Sequence, residues 1–74
     1  MAQTILTVPN ISCHHCEAAI TRALTPLEGV RQVAVDIPRK EVRVEYDEGR
    51  VSLARLQEVL AEEEYPVSAA RPAG

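Results

Sequence analysis

Apolar and polar residues alternate along parts of this chain and recur at helical spacing along others. Thr4 to Val8 alternates, with Leu6 and Val8 on one face and Thr7 on the other, and Pro9-Asn10 closes the segment. From about His14 the period lengthens. Ala19, Ile20, Ala23, Leu24 and Leu27 then fall on one face of a helix that Ser12 can cap. Pro26 cannot continue a helix interior and Gly29 accepts a left-handed backbone, so the helix is expected to stop between them. Alternation returns at Val30 to Ile37, with Val33, Val35 and Ile37 inward. After a turn at Pro38-Arg39-Lys40 it continues with Val42, Val44 and Tyr46 inward and Glu41, Arg43 and Glu45 outward. This reads as a hairpin with one wet side. Asp47-Glu48-Gly49 forms a loop. Ser52 is placed to cap a second helix, whose stripe is Leu53, Leu56, Val59 and Leu60 and which runs to about Glu63. Pro66 and Val67 are expected to open a short last strand.

The element order is βαββαβ, an α+β arrangement in two βαβ halves with no internal sequence repeat. Its natural solution is a ferredoxin-like fold: a four-stranded antiparallel sheet with two helices on one face. Residues 1–68 are expected to form this domain. Residues 69–74 carry no pattern and are expected to be a flexible C-terminal tail.

Composition narrows the function. A chain of 74 residues is one small domain that buries only about 60% of its unfolded surface. Its two aromatic residues are both Tyr, so the core must be aliphatic. Such a chain has little room for an enclosed substrate pocket, which disfavours an enzyme. Eight Lys and Arg against eleven Asp and Glu give a net charge of -3, without a basic stripe or interleaved aromatics, so no nucleic-acid partner is expected. No apolar run approaches a membrane span and no signal-peptide pattern opens the chain. The expectation is a soluble, cytoplasmic protein with no direct membrane insertion.

The chemistry concentrates in two cysteines. Cys13 and Cys16 lie two residues apart, where the first strand gives way to the first helix. A disulfide that close in sequence constrains almost nothing, which leaves thiol chemistry or metal binding. Cys13 falls in the loop and Cys16 in the opening helical turn, where unpaired N–H groups and the helix dipole favour thiolate over thiol. Two thiolates around a monovalent ion leave a net charge of −1, which the same helix end favours. Soft sulfur ligands select Cu(I) among common ions and also suit Zn(II). A zinc ribbon would need a second ligand pair, and a c-type haem site would need His where Glu17 stands. A small thiol–disulfide oxidoreductase is the serious rival, although that fold normally needs a longer chain.

Leu6-x-Val8, Cys13 to Cys16, Gly29-Val30-x-x-Val33-x-Val35-Asp36 and Val42-x-Val44-x-Tyr46-Asp47 together resemble the heavy-metal-associated domain family. That family holds the copper chaperones and the N-terminal metal-binding domains of metal-transporting P-type ATPases. The resemblance runs from about Gln3 to Val67. It implies a carrier that takes Cu(I), or less readily Zn(II) or Hg(II), on Cys13 and Cys16. The ion would pass by thiolate exchange to a P-type ATPase or another acceptor or donor protein, the carrier being a monomer or a metal-bridged dimer. The chain would be either a free-standing chaperone or a domain of a larger transporter.

The resemblance also assigns residues around the metal. Ile11 stands where the family usually has Met, as an apolar plug beneath the metal loop. Tyr65 matches a tyrosine of bacterial copper chaperones close to that loop. Ser12 stands where zinc-selective members often carry Asp, which favours copper. Glu64 stands where a Gly often precedes the tyrosine. His14 and His15 read as exposed polar residues, with His15 the alternative third ligand or pH-sensitive tuner of the site. Asn10-Ile11-Ser12 matches a glycosylation sequon by chance, Glu62-Glu63-Glu64 reads as a solvated helix end, and Tyr46 reads as core.

Overall fold

The computed structural model describes residues 2–12 and 14–73. Strand β1 (Ala2–Thr7) leads to helix α1 (His14–Leu24). Strands β2 (Val30–Asp36) and β3 (Glu41–Tyr46) follow, then helix α2 (Leu53–Glu62) and strand β4 (Ala69–Pro72). The sheet order is β2-β3-β1-β4, and every neighbouring pair is antiparallel. This is the ferredoxin-like arrangement that the alternating patterns imply. Even-numbered residues of β1 turn inward: Thr4 lies opposite Val44 and Leu6 opposite Val42. On the other face Ile5 lies between Arg43 and Arg71, with Ala34 beyond Arg43, and forms part of the wet side.

Both helices cover the apolar face. Ile20 and Leu24 of α1 and Leu56, Val59 and Leu60 of α2 join Leu6, Val42 and Val44 in one aliphatic core. Tyr46 is buried, as its alternation implies, and closes the core at the end of β3. Thr4 is the one buried polar residue among those described, and its Oγ1 donates to the Arg71 carbonyl at 3.1 Å. No helix among the described residues is long and apolar enough to cross a membrane.

The termini of the elements follow local chemistry. Helix α1 stops at Leu24, slightly before the expected break. Pro26 disfavours helical geometry at the preceding Thr25, and Leu27 closes the end with an N–H to the Leu24 carbonyl at 3.0 Å. Gly29 has φ +99°, and a Cβ there would come within 2.9 Å of the Arg50 Cβ, so both conformation and space require glycine. Helix α2 has its N-cap as expected: Ser52 Oγ accepts from the Arg55 N–H at 3.1 Å.

The last strand departs from the sequence expectation. It spans Ala69–Pro72, not Pro66–Val67, so the segment read as a patternless tail carries the fourth strand. All four residues are exposed, and they join the sheet through backbone pairing with β1. An edge strand that buries no side chain leaves no alternation to read, and Pro72 is tolerated because an edge residue can lack a ladder donor.

Helix α2 ends in a Schellman motif. Glu64 donates its N–H to the Ala61 carbonyl at 3.1 Å and Tyr65 donates to the Leu60 carbonyl at 2.8 Å, while Glu64 takes φ +68°. A left-handed conformation costs a non-glycine residue about 1 kcal/mol, and Glu64 is exposed and adds a like charge to the negative helix end. Glu64→Gly should therefore stabilise the fold by about 1 kcal/mol, raising the melting temperature by roughly 4–8 °C in calorimetry.

Candidate metal site

The site is built where β1 hands over to α1. Val8 and Ile11 frame a turn with Pro9 and Asn10 at its centre, closed by the Ile11 N–H on the Val8 carbonyl at 3.1 Å. Proline suits the first central position of such a turn because its φ is already set. The turn drives Ile11 inward, where it is fully buried with Leu6, Val8 and Ile20. Ile11 is buried at the position where the family resemblance leads one to expect an apolar plug.

Cys16 sits in the first turn of α1 on the same face as Ile20 and Leu24, and it is 7% exposed. Its Sγ lies 3.7 Å from Ser12 Oγ and 3.8 Å from the Asn10 carbonyl oxygen. The thiol therefore faces back beneath the loop, as its place at the head of the apolar stripe implies. Ser12 meets Cys16 directly through its hydroxyl. Helix α1 is described from His14 onward. Cys13, the other expected ligand, lies outside the described residues.

Two long-range hydrogen bonds hold the loop. From one side Asn10 Nδ2 donates to the Glu64 carbonyl at 3.0 Å, tying the loop to the turn that ends α2. From the other, Lys40 Nζ donates to the Ile11 carbonyl at 2.7 Å. In the sequence Asn10 stands where the first strand closes and Lys40 stands in a turn. Nothing in their local pattern announces partners 54 and 29 positions away.

The remaining expected residues divide. Tyr65 is half-buried and packs against the core next to Glu64, so the Asn10 tether brings its segment to the loop. His14 and His15 are both exposed on the first turn of α1. Glu62, Glu63 and Glu64 are exposed at the end of α2. Among the described residues no group of three or more His, Cys, Asp or Glu side chains converges on one point.

Comparison with known proteins agrees with this geometry. A family model described as heavy-metal-associated domain matches residues 5–66. A copper chaperone CopZ of Staphylococcus haemolyticus is 39% identical over 67 residues, covering 90% of this chain and 98% of the relative. Among solved structures, a CopZ metallochaperone superposes with a TM-score of 0.86 at 32% identity, over 89% of this chain and 98% of its own. A heavy metal binding protein of Thermotoga maritima gives a TM-score of 0.83 at 34% identity, over 96% and 98%.

Because the loop folds over Ile11, Ile11→Ala should destabilise the protein by about 2–5 kcal/mol, read as a lower midpoint of urea unfolding. Amide exchange at residues 8–12 should rise more steeply than in β3.

Proposed function

The chain belongs to the heavy-metal-associated domain family, and from that membership we propose that it carries one copper ion, as Cu(I), on Cys13 and Cys16 and passes it to a partner protein. The observation that carries this reading is the Cys16 thiol, buried at the start of α1 under a loop braced from two sides. The relative from Staphylococcus haemolyticus, a copper chaperone by name, supports copper as the cargo. Two thiolates satisfy a soft, low-coordinate monovalent ion, and Ser12 offers no carboxylate that would favour a harder divalent one.

The order of transfer is read from the setting of the Cys16 sulfur. Cys16 is anchored in the helix and nearly buried, so it is the ligand retained longest. A partner thiolate adds to the ion first, giving a three-sulfur intermediate, and the Cys13–copper bond then breaks. Copper stays in the monovalent state throughout and no bare ion is released. The partner is a metal-transporting ATPase or another protein that presents paired thiols. A carrier of this kind performs no catalytic turnover. The thiol–disulfide oxidoreductase reading is disfavoured, since the matched relatives are named as copper chaperones.

Anaerobic titration of the reduced protein against a Cu(I)-specific chelator should give one ion per chain, with X-ray absorption reporting sulfur neighbours. Cys16→Ser should weaken binding by orders of magnitude. Nitrogen or oxygen neighbours alone would overturn the assignment.

Tyr65 is proposed to shield the ion. Tyr65→Ala should speed Cu(I) loss to the chelator several-fold while the circular dichroism spectrum stays unchanged. Equal release rates would make Tyr65 a packing residue only.

A further inference from the structure

Lys40 occupies the last position of the β2–β3 turn with φ +56°, a left-handed backbone that favours glycine. The turn itself does not require a lysine side chain. Its other contacts are made by backbone and by Asp36: the Lys40 N–H meets the Ile37 carbonyl at 3.1 Å, and Asp36 Oδ1 accepts from the Arg39 N–H at 3.2 Å. What the side chain does is leave the hairpin and cross to the loop after β1. There Nζ donates to the Ile11 carbonyl at 2.7 Å, a charge-assisted bond in partly buried surroundings.

The backbone of the same residue holds the other end of that loop. The Lys40 carbonyl accepts from the Val8 N–H at 2.8 Å. Lys40 therefore brackets the Val8–Ile11 turn, with its carbonyl where the chain leaves β1 and its ammonium where the chain turns toward Ser12 and α1. The turn's own closing bond, Ile11 N–H to Val8 carbonyl, lies between these two contacts.

We infer that Lys40 is a positioning residue for metal handling: its ammonium clamps the Ile11 carbonyl and so fixes the backbone that leads into the Cys13–Cys16 pair. The inference rests on the carrier reading proposed above. A strained backbone position filled by a long cation that reaches a functional loop is explained by what the cation does there. The ammonium also brings a positive charge to a loop whose loaded site would carry a net −1. An unclamped loop would sample conformations in which the two sulfurs no longer converge, and the ion would be lost faster.

The test compares Lys40→Met, which keeps the aliphatic stem and the left-handed backbone but removes the donor, with Lys40→Arg, which restores a cationic donor. In the apo-protein, hydrogen exchange at the Ile11 amide should quicken about tenfold in Lys40→Met and return toward the native rate in Lys40→Arg. Cu(I) loss to a chelator should follow the same order. Lys40→Gly should combine a gain in global stability, from relief of the left-handed strain, with the same loss of protection at Ile11. Native exchange at Ile11 in Lys40→Met would overturn the clamp. A loosened loop with unchanged Cu(I) release would overturn its part in metal handling. Should the native protein take up no Cu(I), the carrier reading itself falls, while exchange at Ile11 still decides whether Lys40 positions the loop.

Discussion

Between Thr7 and His14 the chain must leave a central strand, bury an isoleucine completely, and reach a helix whose first turn carries a nearly buried thiol. Burial of Ile11 is what makes that path unique. With Ile11 among Leu6, Val8 and Ile20, the Asn10 carbonyl and the Ser12 hydroxyl are brought to the Cys16 sulfur. Full burial of such a side chain is worth about 1.5–3 kcal/mol, a large share of what a domain of this size has in reserve. The β1–α1 loop is thus held by an apolar contact, and its polar contacts refine a geometry already set.

The refinement comes from two opposite directions. Asn10 reaches the end of α2, and Lys40 reaches across from the β2–β3 turn. Both anchor points, Glu64 and Lys40, have positive φ although neither is glycine. Backbone strain in the described residues therefore gathers around the loop, apart from the glycine position at the far end of the sheet. Local strain of this kind persists where surrounding packing over-determines it, and here Schellman bonds and sheet pairing do so.

The same architecture separates cargo chemistry from stability. The core is aliphatic and lies between helices and sheet, while the thiol sits at its edge, sharing the face of α1 with Ile20 and Leu24. On the proposed carrier reading, an ion held at that thiol is exchanged at the edge of the core.

Much of this was legible in the chain. Period-two runs at β1, β2 and β3, helical stripes in α1 and α2, and the Ser52 cap all report side chains that alternate between core and water, and that alternation is written residue by residue. The run of family motifs announced the heavy-metal-associated family, and the spacing of Cys13 and Cys16 pointed to thiol or metal chemistry. Other features belong to the tertiary structure alone. Strand β4 pairs through its backbone with every side chain exposed, so Ala69–Pro72 carries no hydrophobic signature. The Asn10 and Lys40 tethers join residues 54 and 29 positions apart. Local sequence records which side chains seek the core, whereas backbone pairing at an edge and contacts between distant loops exist only once the core has brought those segments together.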